Sequence, residues 1–256
     1  QLGTGHGRKT DQVDARSVAV AALTGADRQH LQDDHAETLR LLSEHRDELV
    51  RRRTQVVNRL HVILMHLLDG GAPASLTADR AAALLGRIRR ARGARATRRA
   101  LAVDLVAEIR HLDKKIATAE RHVADAVSDT EPTLLQLPGV GPVLAARIIG
   151  RVGSLDRFPS ANHFASYCGT APIEVSSGDV TRHRLSRAGD RQLNHALHLI
   201  ALSQVRCHAP ARAYYQRKRA AGKGHREAMR CLKRRLATVI FRHLTADQHA
   251  ATPTAA

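Results

Sequence analysis

Apolar residues between positions 31 and 68 recur at helical spacing. Leu42, Leu49, Val56 and Ile63 stand seven apart, and Leu39, Leu60 and Leu67 fill much of the companion seam. "DGGAP" breaks the pattern, and "LTADRAAALLGRIRRAR" (76–92) then predicts a short basic helix. From about 100 to 127, Leu105, Ile109, Leu112, Ile116, Ala119, Val123 and Ala126 alternate steps of four and three. Two long helices with a connector predict a long antiparallel helical hairpin with a coiled-coil seam. A plain helical bundle fits the same pattern equally well. After "SDTEPTL" a compact helical domain is expected over 133–245, with helices at about 141–152, 160–167, 187–206, 209–221 and 223–244. Inside it, "GTAPIEVSSGDVTRHR" (169–184) lacks helical spacing. Its β-branched residues flank a Ser-Gly turn, which predicts a small β-hairpin or loop. Residues 1–30 read as a loop and a short helix, the tail of a domain rather than a whole one. The expected organisation is therefore 1–30, a helical region over 31–130, a C-terminal domain over 133–245 and a disordered tail over 246–256. The fold class is mainly α.

Composition supports that class. With three Phe, three Tyr and no Trp, the core must be built from Leu, Val, Ile and Ala, which suits packed helices. Charge changes the picture more. The net charge is +17, and it is uneven: residues 1–132 hold 22 Lys/Arg against 18 Asp/Glu, whereas residues 133–256 hold 19 against 6. A balanced half joined to a basic half points the second half toward a polyanion, with nucleic acid the default. A membrane surface is disfavoured, because the basic half has no long apolar face with aromatic anchors. No apolar run approaches the roughly 18 residues of a membrane span, and no signal peptide is legible. Cys168, Cys207 and Cys231 match neither a disulfide framework nor a zinc spacing. A reducing, cytoplasmic setting is expected. The chain begins at Gln1 rather than Met and is expected to be a piece of a longer protein.

Four stretches carry candidate chemistry. In "LLQLPGVGPVLAARIIGRVG", Pro138, Gly139 and Gly141 predict a tight turn before a helix starting near Pro142. Backbone amides at such a turn and helix start favour a phosphate, as in a helix-hairpin-helix element; a Gly-Pro turn between core helices is the plainer account. In "SSGDVTRHRLSRAGDRQL", Ser176 and Ser177 precede a glycine, and Arg182, Arg184, Arg187 and Arg191 follow. A serine among arginines suits attack on a phosphodiester, with the guanidinium groups holding the phosphate. Ser-Gly is also ordinary turn chemistry. In "RKTDQVDAR", Asp11 and Asp14 fit either a helix cap or a pair of ligands for a hard divalent cation. In the last basic helix, Ala228, Leu232, Leu236, Val239 and Ile240 make an apolar face. Arg230, Lys233, Arg234 and Arg235 are expected on or around the other face, toward solvent or phosphate. The sixteen His residues form no zinc motif.

In their order these pieces resemble the IS110-type insertion-sequence transposases, DEDD transposases related to the Piv DNA invertase. "PGVGP", "ASYCGTAP", "SSG" and "SRAGDRQL" carry the resemblance over about 134–205, and "KTDQVDA" extends it to the N-terminus. The resemblance implies an N-terminal α/β RuvC-like domain with four acidic residues, a coiled-coil region and a C-terminal Transposase_20 domain. Residues 1–30 would be the remnant of the first. Asp11 and Asp14 would be the third and fourth acids, binding Mg²⁺. Ser177, with Ser176 as its rival, would be the nucleophile that joins covalently to DNA. The first two acids would lie upstream of Gln1, so the chain is expected to be N-terminally truncated and inactive alone. The implied partners are DNA, in some members a structured RNA, and further copies of the chain (a dimer or tetramer) joined through the helical hairpin. No membrane partner is implied, and the setting would be the bacterial nucleoid. The competing reading is a non-catalytic helix-hairpin-helix DNA-binding or architectural protein. It accounts for the charge and "LPGVGP" but for neither the Ser-Gly loop nor the aspartate pair.

Overall fold

The computed structural model describes residues 34–88, 91–177, 180–184 and 188–251, with 174–177, 180–184 and 251 described by backbone alone. The described chain is mainly helical. In order it forms α1 (Asp34–Met65), α2 (Ala78–Gly86), α3 (Ala94–Ser128), α4 (Pro142–Val152), α5 (Ala161–Tyr167), β1 (Ile173–Ser177), β2 (Val180–Arg184), α6 (Arg191–Cys207), α7 (Ala209–Ala220) and α8 (His225–Ala251). No described helix is long and apolar enough to cross a membrane.

Helices α1 and α3 lie side by side and antiparallel. Arg46 donates to Glu120 at 2.6 Å, Arg53 donates to Asp113, and Arg95 reaches the Leu67 carbonyl at the far end. Between them Leu49, Val56, Leu60 and Leu64 meet Ala102, Leu105, Ile109 and Leu112. The strict seven-residue pattern slips. Leu64 is fully buried and Ile63 only partly; on α3, Val127 is buried and Ala126 only partly. A straight helix has 3.6 residues per turn, so a stripe kept at multiples of seven drifts about 20° per heptad, and the contact moves one residue on. The short α2 closes this end of the pair, capped by Thr77 Oγ1, which accepts from Arg80 N at 3.2 Å.

A second core gathers the other end of the pair and the whole C-terminal half. Leu39 of α1 and Val123 and Val127 of α3 join Leu134, Ile148, Leu193, Ile200, Leu236 and Ile240. All three phenylalanines meet here. Phe164 lies 5.4 Å from Phe158 and 5.6 Å from Phe241 between ring centroids, and Tyr167 lies 5.1 Å from Phe158. Where α4 crosses α1, Gly150 lets the backbones touch: a Cβ there would stand 2.5 Å from Arg40 N.

Two helix starts differ from the sequence reading for local reasons. Helix α6 begins at Arg191 rather than 187, because the Asp190 carboxylate caps it, accepting from Leu193 N at 2.8 Å. Helix α3 starts at Ala94, directly after Gly93 turns the chain with φ +56°.

Candidate nucleic-acid interface

The turn before α4 contains both predicted glycines, and they differ. Gly139 has φ +85° and lies against α6, where an added Cβ would meet Ser203 Cβ at 2.9 Å. Gln204, buried on α6, donates to the Pro138 carbonyl at 2.8 Å and fixes the turn from behind. The close approach that Gly139 permits is therefore to the protein's own helix. Gly141, at the N-cap of α4, has φ −104°, and an added Cβ there would meet nothing within 4 Å.

Strands β1 and β2 form a two-stranded antiparallel hairpin. Its register pairs Ile173 with Arg184, Glu174 with His183, Val175 with Arg182, Ser176 with Thr181 and Ser177 with Val180. The pleat thus puts positions 173, 175 and 177 on one face with 180, 182 and 184, and positions 174 and 176 on the other with 181 and 183. Arg191 is exposed at the start of α6.

The hairpin stands on a narrow root. Gly169, with φ +63°, precedes β1, and Gly189 follows β2; a Cβ on Gly189 would lie 2.2 Å from Gly169 N. Beside this contact Asp190 N donates to the Tyr167 carbonyl at 2.7 Å. Asn194 of α6 completes the anchor, its Nδ2 donating to the Cys168 and Gly169 carbonyls at 2.9 Å each. Its Oδ1 accepts from Lys233 Nζ of α8 at 2.5 Å. Burial, with the Asp190 carboxylate nearby, pushes the Cys168 thiol up to about 12, so this cysteine stays protonated and is no candidate nucleophile.

Lys233 corrects the sequence reading. Expected on the polar side of its helix, it is only 7% exposed. Burial first, then the Arg230 charge, push its ammonium below the usual lysine range. The sequence offered one clue. Lys233 stands one helical turn from Met229, Leu236 and Ala237, which places it at the edge of the apolar stripe. Asn194, Gly169 and Gly189 gave no signal, because their importance comes from a crossing of segments about twenty residues apart.

The remaining candidates, Asp11, Asp14 and Arg187, lie outside the described residues. Among the described residues, no three His, Cys, Asp or Glu side chains gather to hold a metal ion.

The Transposase IS116/IS110/IS902 family pattern matches residues 131–216, which hold the α4 turn, the hairpin, α6 and most of α7. A second transposase pattern, that of the IS110-type DEDD domain, matches residues 3–68. The chain belongs to the IS110 family of transposases. It is 29% identical to the insertion element IS116 uncharacterized 44.8 kDa protein of Streptomyces clavuligerus, over 96% of this chain and 73% of that protein. It is 36% identical to the insertion element IS110 uncharacterized 43.6 kDa protein of Streptomyces coelicolor, over 51% of this chain and 33% of the other. It is 25% identical to the transposase for insertion sequence element IS1328 of Yersinia enterocolitica, over 82% and 60%. The IS110-family match over 131–216 thus includes the buried Lys233's partner Asn194 and both root glycines, and stops short of α8.

Proposed function

We propose that this chain is a DNA-handling portion of an insertion-sequence transposase in which Ser177 is the nucleophile. The observation that carries the choice is the hairpin register. Position 177 shares a face of the ribbon with positions 182 and 184, both arginine, whereas position 176 shares its face with Thr181 and His183. Attack on a phosphodiester needs a hydroxyl and phosphate-holding cations on one side. In that step the Ser177 oxygen bonds to phosphorus, one deoxyribose oxygen leaves, and the hydroxyl proton passes through solvent to the leaving oxygen. Arg182, Arg184, Arg187 and Arg191 hold the strand. The turn through Gly139 and Gly141, read as a helix-hairpin-helix element, presents amides to a neighbouring phosphate, with Gly141 its open side. Asp11 and Asp14 would hold Mg²⁺, which stabilises charge on phosphoryl oxygens when bound. A structured RNA is a further partner under this reading, as is a second copy of the chain seated on the α1–α3 pair.

This chain is not expected to complete strand exchange alone, so the test reads the first covalent step only: covalent trapping on a nicked DNA duplex bearing element ends, with Mg²⁺ present. An adduct is expected with the wild type and with Ser176→Ala, and none with Ser177→Ala. An adduct that survives Ser177→Ala overturns the nucleophile. DNA binding without any adduct in the wild type would turn the reading to the architectural protein.

A further inference from the structure

A cavity of about 290 Å³ opens between the root of the hairpin and α8. Residues 169–172 form one wall, and Tyr214, Lys223, Glu227, Arg230, Lys233 and Arg234 are among those forming the others. Four of these side chains are cationic and one is a carboxylate. That carboxylate, Glu227, faces Lys223 at 3.9 Å. Arg234 is engaged with Thr238 and Asn162. Lys233 is the unusual member: at 7% exposure its only hydrogen bond among the described residues goes to a neutral amide oxygen, Asn194 Oδ1. An ammonium carries three donors, and a buried charge is ordinarily paired. No carboxylate pairs with Lys233 among the described residues. The surroundings add positive charge rather than remove it. Arg230 lowers the Lys233 ammonium, and Lys233, His195 and His225 all hold the His198 imidazole below its usual range, after burial.

A buried cation that has no carboxylate partner among the described residues, on the wall of a cavity lined by further cations, is matched by an anion. We infer that this cavity is a phosphate subsite, seating a phosphodiester of the nucleic-acid strand beside the hairpin, with Lys233 as its buried ligand and Arg230 at its mouth. The cavity is near the lower end of ligand-pocket sizes, which suits one phosphate with part of its sugar rather than a whole oligonucleotide. Tyr214 gives the sugar or base an apolar wall. Its own ring already has Arg235 at 5.4 Å and Lys218 at 5.5 Å from its centroid, so the wall is itself set in positive charge. Distance separates this subsite from the reaction. Ser177 lies five residues beyond Pro172, and at about 3.3 Å per strand residue that is roughly 16 Å along β1. The phosphate held here is therefore not the one attacked but one several nucleotides away, which sets where along the strand the serine acts. The strand as the source of this phosphate rests on the proposed DNA function; the anion site itself does not.

The test compares the full chain with Lys233→Gln, with Arg230→Gln, and with Arg242→Gln, an exposed arginine of the same helix that does not line the cavity. Two measurements are made: the rise in melting temperature given by inorganic phosphate, each variant against its own baseline, and the affinity for a labelled single-stranded DNA oligonucleotide over a salt series. Phosphate is expected to raise the melting temperature of the wild type and of Arg242→Gln but not of Lys233→Gln. The oligonucleotide is expected to bind Lys233→Gln about ten-fold more weakly, with a salt slope shallower by about 0.7, one phosphate on a single strand. Arg230→Gln should share both losses in weaker form, which keeps the site testable if Lys233→Gln misfolds. An undiminished phosphate effect in Lys233→Gln and Arg230→Gln overturns the site. A phosphate effect lost with oligonucleotide binding unchanged overturns the strand as its source and leaves free phosphate. A wild type that binds no oligonucleotide yet shows the Lys233-dependent phosphate effect overturns the proposed DNA function while the anion site stands.

Discussion

Arg147 grips Asp47 with a single nitrogen: its Nη2 donates to both carboxylate oxygens, at 2.6 and 2.7 Å. Arg147 belongs to α4 and Asp47 to α1, so this pair ties the C-terminal half to the long helical pair. The arginine side chain is 7% exposed and the aspartate 22%. Among the described residues Arg147 Nε has no partner of its own, and Asp47 is the carboxylate that balances this buried charge. Asp47→Ala is expected to lower stability by about 3 kcal/mol, because it strands a buried guanidinium. Arg147→Met, which removes the charge and keeps most of the volume, should cost less. Denaturant unfolding of both variants checks the order; equal or reversed costs would show that the pair is not what balances Arg147.

The same crossing depends on Gly150. A Cβ there would meet Arg40 N at 2.5 Å and Arg40 Cα at 2.7 Å, and backbone atoms cannot swing aside. Gly150→Ala should destabilise by about 2 kcal/mol through overpacking. Gly141→Ala meets nothing within 4 Å and needs no positive φ, so it should leave the unfolding midpoint within about half a kcal/mol. If Gly141 faces a phosphate as proposed, that silent substitution should still weaken DNA binding.

At the hairpin root, Gly189→Ala would drive a methyl into the Gly169 backbone, where the Cβ–N separation is 2.2 Å. The two legs would have to part. Limited proteolysis between 173 and 184 should become faster, and the covalent adduct should be lost, while the far-UV helical signal stays. Unchanged proteolysis would show that the root yields without disturbing the strands.

His198 predicts an acid limb. Its folded imidazole is held below the usual 6.5, by burial first and then by Lys233, His195 and His225. The unfolded imidazole therefore takes up its proton near pH 6.5, before the folded one does. Stability is full above that pH and falls as pH drops through 6.5 toward the lower folded value. His198→Asn should flatten this fall in melting temperature between pH 7.5 and 5. An equally steep fall in the variant would assign it to other groups.

Met65 and Val62 near the end of α1 are 68% and 57% exposed, and Leu101 of α3 at the same end of the pair is 50% exposed. If copies join through the helical pair, Met65→Glu with Leu101→Glu should shift the mass seen by light scattering to that of one chain. An assembly of unchanged mass would place the contact elsewhere.

Much of this architecture is written into apolar spacing. Leu39, Leu49, Val56, Leu60 and Leu67 stand at helical spacing in the sequence and are all buried. What spacing cannot express is which charges are taken inward. Lys233 sits in a run of Arg and Lys that reads as a polar surface, and its burial depends on α6 and the 169–172 wall closing over it. The role of Gly139 was legible only in part: a turn glycine is evident, but its neighbour turns out to be Ser203, sixty-four residues on, rather than a ligand. Positions 176 and 177 cannot be told apart by composition, since both are serine before a glycine. The strand register separates them, because a shift of one residue exchanges the faces of the ribbon.

The aromatic residues have a use beyond packing. Phe158, Phe164, Tyr167, Tyr214, Tyr215 and Phe241 are the chain's full aromatic set, and every one follows residue 157. The core between Leu49 and Leu112 contains none. Near-ultraviolet signals therefore report the C-terminal core alone, while far-ultraviolet signals report the helices of both. Coincident melting curves would mean the two cores unfold as one cooperative unit; a far-ultraviolet step without a near-ultraviolet counterpart would be the helical pair opening by itself.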